Sequence, residues 1–392
     1  MNRRIGMKHY GFDWLDRFGN SCAEEAAMLR AHAVDFVVIQ NLIDPVATTA
    51  AATHDDLLSK RLAVAGYDET GFRAALRNEG IAYYENLAVF FNPSQLAKRP
   101  ELTPVDADGN RMRKIGWYVG LCPSDKAHLA DRAAVAEEIV ATLNPEGLYL
   151  DWIRFPGFWE LWMPETKRDS LPEYCFCERC VVRFQEESGV AVPDRESQEQ
   201  VRFILKNFRK EWSAWKCSIV AEAVGEIKRA AQRQRPDIRI LTNGIAFGVD
   251  DYDNAVEEIL GQRIEVLAQH TDSFTFMFYH QISRRDPGAW IARKTAEIES
   301  RTTRPFYATL QTKPAYLEPM YEAGRRRSSI PFKEHILGLQ AVTDSPTDGV
   351  MVYQWTDYLE ARRSGDFRLR DALHAFKEGR LQSMPESNFP ND

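Results

Sequence analysis

The chain has no uncharged apolar run approaching the roughly 18 residues that mark a membrane-spanning helix. Its opening, MNRRIGMKHYGFDW, passes from two arginines straight into a mixed, aromatic segment. With no apolar h-region there, a secretory leader is not expected, and the sequence reads as cytoplasmic. Positive charge is not in excess either: 50 Lys and Arg stand against 57 Asp and Glu, a net charge of −7. Without a basic footprint, neither nucleic acid nor an anionic membrane is an expected partner. No GxGxxG or P-loop motif follows any strand-like segment, which argues against nucleotide folds and an organic cofactor. Cysteine is sparse, at six residues (22, 122, 175, 177, 180 and 217). In a reducing compartment these are thiols or metal ligands rather than disulfides.

What is present is an ordinary globular balance, 44% hydrophobic and 27% charged, over 392 residues. That length suits one large barrel with insertions or two ordinary domains. Apolar strand-like runs alternate with amphipathic stretches throughout. Strands are expected at 5–12, 35–43, 81–91, 147–153, 237–245, 273–280, 305–311 and 349–355. Helices are expected from Ser21, whose side chain caps with Glu24 at the third position, and at 69–79, 126–143, 251–268, 288–300, 332–343 and 368–378. Eight strands, each followed by a helix or helix-bearing connection, predict an α/β fold, a (β/α)8 TIM barrel spanning residues 1–381. Residues 156–236 form a long insertion after strand four, with a cysteine cluster and a helix over roughly 195–234, and 382–392 read as a disordered tail.

In such a barrel, polar residues where strands meet the following loops lie on the catalytic face. The fourth strand, GLYLDWIRFPG, ends on Asp151 after an apolar run, with Arg154 close enough in sequence to be either part of the site or an ion-pair partner. The loop beyond is dense in aromatics: Trp152, Phe155, Phe158, Trp159 and Trp162, with Glu160 among them, while Trp14, Trp117 and Trp355 lie near other strand ends. Flat aromatic faces beside carboxylates and amides suit sugar rings. Asp151 is therefore the expected main catalytic group.

The segments CPSD (122–125), GLYLDWIRFP (147–156) and CFCERCVVRF (175–184) together resemble a family of barrel glycoside hydrolases with a DGxxLDxIRFP-like fourth strand followed by a CxCxxC segment. The cysteine pattern is also similar to that of the family 42 β-galactosidases, where a CPN-type cysteine before strand four joins a CxCxxC after it around one zinc. The resemblance implies a structural zinc on Cys122, Cys175, Cys177 and Cys180, and four thiolates make a closed shell of the structural kind. The catalytic pattern of the β-galactosidases is not repeated. They end strand four in Asn-Glu and carry a Glu on strand seven, where this sequence has Leu150-Asp151 and Gln311.

Glycoside hydrolysis by an Asp/Glu pair needs a second carboxyl. Glu160 is the first candidate, folding back over the barrel mouth as general acid, then Asp357 beyond strand eight, then Glu85 within strand three. Asp250, Asp251 and Asp253 read as a solvated helix start, and Asp272, preceding its strand, as structural. His9, Asp13, Gln40, Asn41, Asn243, Tyr279, His280, Gln311 and Gln354 ring the strand ends and, with Glu85, Trp152, Arg154, Trp159 and Trp355, form the expected binding surface for an oligosaccharide or glycoside. A homo-oligomer is compatible with the sequence. The competing expectations are a non-catalytic sugar-binding barrel and a metal-dependent amidohydrolase, the latter wanting an HxH near strand one where only His9 stands.

Overall fold

A computed structural model describes residues 3–40 and 67–384, with the side chain of Gln40 outside that description. Eight strands run parallel: β1 (Arg4–Tyr10), β2 (Phe36–Gln40), β3 (Ala82–Ala88), β4 (Gly147–Asp151), β5 (Arg239–Ile245), β6 (Ser273–Phe278), β7 (Phe306–Gln311) and β8 (Gly349–Tyr353). Each pairs with its neighbours in chain order, and β8 returns to β1 with Arg4 opposite Gly349, so the sheet is a closed barrel. The expected (β/α)8 architecture is the observed one.

Side-chain alternation divides the apolar residues into two layers. Phe36, Val38, Tyr84, Tyr149, Leu241, Tyr307 and Met351 fill the barrel. Ile5, Met7, Val37, Ile39, Leu148, Leu150 and Ile240 belong to the larger core between strands and helices. The lumen is tight enough that a Cβ on Gly6 would run into the Phe36 ring. At Gly349, φ is 155° and a Cβ would strike the Arg4 carbonyl, so only glycine lets the closing strands approach.

The first full helix, Cys22–Ala31, opens with the expected capping box between Ser21 and Glu24. The helix Lys126–Leu143 is capped by Asp125, which accepts from the His128 amide at 2.7 Å. Three expectations are corrected. The helix expected over 195–234 is two, Ser197–Asn207 and Arg209–Gln234, because the Asn207 side chain donates to the Phe203 carbonyl at 2.8 Å and Phe208 leaves helical geometry. The helix expected over 251–268 is two single turns, Ala255–Glu258 and Ile264–Leu267, because Tyr252, Asp253, Asn254 and Gly261 all have positive φ. Trp355 does not end β8 but begins a helix, Trp355–Arg363. Leu381–Ser383 forms a 3-10 turn, and residues 385–392 of the expected tail lie outside the described residues. Among the described residues, no helix is long and apolar enough to cross a membrane.

Candidate active site

Gly147, Tyr149 and Asp151 alternate with Leu148 and Leu150, which face the helices. Asp151 therefore rises from inside the barrel at the carboxyl end of β4, and it is 6% exposed. It accepts hydrogen bonds from Asn243 Nδ2 at 2.9 Å and from the Trp152 amide at 2.8 Å. Asn243, from β5, is held in turn: its Oδ1 accepts from Thr275 Oγ1 at 3.0 Å, and that hydroxyl is 3.2 Å from Tyr149 Oη. The carboxylate is thus oriented by a polar ladder across three strands. Arg154 makes no ion pair with Asp151; its guanidinium lies 5.9 Å from the centre of the Tyr118 ring.

Glu160 sits in the 3-10 turn Trp159–Leu161, which folds over the barrel mouth. Arg326 fastens this turn by donating to the Glu160 carbonyl and, at 3.0 Å, to the Ile282 carbonyl. The Glu160 side chain is buried and its Oε2 has no hydrogen-bond partner. Burial pushes its carboxyl up to about 7 from the ordinary 4.5, Arg154 opposes the shift, and the charge of Asp151 adds to it. Asp151 and Glu160 line one cleft of about 380 Å³, in the usual size range for ligand sites.

The aromatic loop divides its labour. Trp152, held at a left-handed φ of 48°, stacks on Phe91 with centroids 4.9 Å apart. Trp117 stands edge-on to Phe91 at 5.5 Å and is 39% exposed, at the rim of the cleft. Trp159 also lines the cleft, 6.2 Å from the Tyr279 ring of the β6 end. Trp162 is turned away, stacked on Phe247 at 6.3 Å, with its carbonyl bonded by Tyr252 Oη.

Several expected site residues lie elsewhere. His9 shares the outward face of β1 with Ile5 and Met7, and its Nε2 meets Glu25 Oε1 at 2.7 Å beneath the first helix, so its placement at the site is corrected by the parity of the strand. Glu85 is corrected for the same reason: it shares the side of Tyr83 and Leu87, outside the barrel, and bonds Tyr83 Oη. Trp355 points toward the first helix and donates to Glu25. Asp357, in the first turn of its helix, accepts from Thr312 Oγ1, lies 3.6 Å from Lys313 Nζ, and does not line the cleft; burial raises its carboxyl pKa. His280 meets Glu334 at 3.1 Å, and Gln311 donates to Gln281 at 2.9 Å and to the Lys313 carbonyl at 2.6 Å, so both are engaged in holding loops. Asp13 begins a short helical turn, 4.0 Å from Arg17, and Gln354 immediately precedes the helix after β8. Asn41 lies outside the described residues. Asp272 accepts from the Ile240 amide and Lys228, and Asp251 pairs with Lys294 at 2.6 Å, both structural.

The sequence reading missed Lys8, Tyr10 and Tyr353, which form the cleft floor. The signal was available in β1: Ile5 and Met7 are the apolar outward residues, which puts Gly6, Lys8 and Tyr10, not His9, on the lumen face.

At the outer side of the β4 loop the sulfurs of Cys122, Cys175, Cys177 and Cys180 lie within 4.8 Å of one another. Cys122 is 3.6 Å from Cys177 and 3.5 Å from Cys180. A tetrahedral metal with bonds of about 2.3 Å requires sulfurs about 3.8 Å apart, so the cluster has the dimensions of a four-thiolate site. The Val105 amide donates to Cys175 Sγ at 3.4 Å and Ser124 Oγ lies 3.0 Å from Cys180 Sγ, the outer contacts that orient such ligands. All six cysteines are free of disulfides.

A closed parallel eight-stranded barrel with its cleft at the carboxyl ends of the strands is the architecture of the TIM-barrel proteins. No protein-family model matches the chain, and no curated protein matches it by sequence. Among solved structures it is similar to the PgaB (BpsB) glycoside hydrolase domain from Bordetella bronchiseptica, at 14% identity and TM-score 0.62, over 95% of this chain and 99% of that one. A catalytic mutant of a GH42 β-galactosidase from G. stearothermophilus gives TM-score 0.66 at 11% identity, over 97% of this chain and 57% of that one. The α-L-fucosidase isoenzyme 2 from Paenibacillus thiaminolyticus gives 0.55 at 14%, over 100% and 50%. The chain spans little more than half the length of the β-galactosidases it matches. At these identities the likeness is one of fold.

Proposed function

We propose that this chain is a glycoside hydrolase in which Asp151 and Glu160 are the carboxyl pair. A TIM barrel hosts many chemistries, so the argument rests on the site rather than the fold. The observation that carries it is the contrast between two carboxyls in one aromatic-walled cleft. Asp151 accepts two hydrogen bonds, from Asn243 Nδ2 and the Trp152 amide, which hold its carboxyl oxygens in a fixed direction. Glu160 is desolvated, with one oxygen unpartnered and its pKa near neutrality, the environment of an acid that arrives protonated. Asp151 then acts as nucleophile or stabiliser of the oxocarbenium-like transition state, and Glu160 protonates the leaving oxygen. Trp117 and Trp152 offer ring faces to the sugar, and Asn243 positions Asp151. The hydrolase chemistry named for the structural neighbours is consistent with this assignment.

Cys122, Cys175, Cys177 and Cys180 hold a structural zinc in this reading: with no open ligand position and no place in the cleft, it takes no part in the reaction. The thiol cluster suits a reducing compartment, in keeping with a cytoplasmic protein.

The test is a pair of substitutions on a panel of aryl glycosides. Asp151→Asn keeps shape and most hydrogen bonding, and is expected to lower kcat by several orders of magnitude with the fold intact. Glu160→Gln is expected to slow poor leaving groups far more than activated ones, because only the former need the proton. Turnover by Asp151→Asn near the wild-type rate would overturn the assignment.

A further inference from the structure

The cleft floor holds a lysine that the reaction just described does not use. Lys8 is 2% exposed and rises from β1 among three tyrosine rings, its Nζ 5.1 Å from the centroid of Tyr149, 5.5 Å from Tyr10 and 5.9 Å from Tyr353. The rings hold the ammonium on three sides by cation–π attraction but accept none of its protons in an ordinary hydrogen bond. Among the described residues no oxygen accepts from it, and Asp151, though felt electrostatically, makes no ion pair with it. Burial lowers the ammonium and the charge of Asp151 opposes the shift, leaving it at about 8, so it is charged at neutral pH. Beside it the Tyr10 hydroxyl is buried without a partner, and burial with the nearby Asp151 charge raises its pKa, keeping it a donor.

The charges of the cleft do not balance while Glu160 holds its proton: Lys8 and Arg154 face a single carboxylate. Arg154 has a prospective partner in Glu160 itself, once that acid has given its proton away. Lys8 has none. A desolvated cation is costly unless it meets an acceptor, and two convergent donors with no acceptor on a cleft floor mark a place for oxygens carried in by the ligand.

Building on the glycosidase reading, we propose that Lys8 Nζ and Tyr10 Oη form a subsite for an anionic substituent of the sugar bound over Asp151, so that the substrate class is an acidic saccharide. The substituent's chemistry is an oxyanion, either a uronate carboxylate or a sulfate ester, and Lys8 sets the preference for it over a neutral hydroxymethyl group.

The test pairs nitrophenyl glucuronides and galacturonides, in both anomeric forms, with the matching glucosides, galactosides and 6-sulfated glycosides. Calorimetric titration of free glucuronic and galacturonic acids and of glucose and galactose 6-sulfates accompanies it, run on wild type, Lys8→Met and Lys8→Arg. The wild type is expected to favour one anionic series by about tenfold or more in kcat/KM or Kd, the size of one charge-assisted hydrogen bond. That preference should collapse toward unity in Lys8→Met and return in part in Lys8→Arg, which keeps the charge and guards against a variant that merely folds poorly. Preference for the uronides identifies the carboxylate, and preference for the 6-sulfates identifies the ester. Equal or better handling of neutral sugars by the wild type, or an unchanged ratio in both variants, overturns the proposal. Neutral glycosides hydrolysed through Asp151 with no anion preference would leave the hydrolase reading standing without it. Lys8-dependent binding of acidic sugars with no hydrolysis would leave the subsite standing and sink the hydrolase reading.

Discussion

At the scale of the residue, the site turns on how differently two similarly buried carboxyls are hydrogen-bonded: Asp151 accepts two bonds and Glu160 Oε2 accepts none. Because the Glu160 pKa is raised to about 7, hydrolysis of poor leaving groups is expected to fall as pH rises through neutrality, and a pH–rate profile of Glu160→Gln should lack that basic limb. The same burial shows in stability. The folded state holds a proton that the unfolded chain releases near 4.5, so the contribution of Glu160 is complete below that pH and disappears as pH rises through about 7. Tm measured from pH 4 to 8 should therefore decline more in the wild type than in Glu160→Gln. The tryptophans separate by the same kind of reasoning. Trp117→Ala, at the exposed rim, is expected to weaken saccharide binding with little change in Tm, whereas Trp162→Ala, buried on Phe247, should cost about 3–5 kcal/mol of stability and leave intrinsic affinity near wild type. The reverse pattern, read by calorimetry and thermal melts, would exchange their roles. Asp151, Glu160 and the aromatic loop were legible because their types cluster after one strand. Lys8 was not, because a lysine at an apparent strand centre reads as solvent-facing until the parity of Ile5 and Met7 is applied.

At the scale of the element, the cysteine cluster is a tie. Cys177 stands just ahead of the helix Glu178–Ser188 and Cys180 in its first turn, so two of the sulfurs gather at a helix N-terminus, where the dipole favours thiolates. Cys122 comes from the connection between β3 and β4, just ahead of the helix Lys126–Leu143, and Cys175 from the loop after β4. A metal bound there would fasten the insertion to the segment that precedes β4. Purified protein is expected to contain close to one zinc per chain by elemental analysis, and Cys177→Ser to lose it and melt at lower temperature, since metal binding is coupled to folding. Metal-free wild type with an unchanged Tm would remove the tie. Element boundaries were least legible where side chains compete with the backbone. Asn207 breaks an otherwise helical run through its bond to the Phe203 carbonyl, and the three left-handed residues from Tyr252 to Asn254 dissolve an apparently amphipathic helix. The turn carrying Trp355 was read as strand because an apolar aromatic after VYQ fits either period.

At the scale of the whole molecule, strand number and order were readable from alternation, and the four-cysteine constellation from the resemblance that joins Cys122 to the CxCxxC segment. The closing contacts were not. Nothing local to Arg4 or Gly349 announces that they meet, and the tightness of the lumen, which selects Gly6 against the Phe36 ring, is a property of closure rather than of any strand. The cleft floor belongs to the same level: Lys8 and Tyr10 come from β1, Tyr353 from β8, and their meeting depends on the seam between them.

That seam sets a time as well as a place. A ribosome emits β1 first and β8 more than three hundred residues later, so a nascent chain extended through β7 already contains Asp151 and Glu160 but still has two open sheet edges. Until Gly349 docks against Arg4, Lys8 lacks the Tyr353 side of its cage and the floor is open to water. The cleft floor therefore closes in one late step during biosynthesis, and a chain that stops before β8 carries Asp151 and Glu160 without that enclosure.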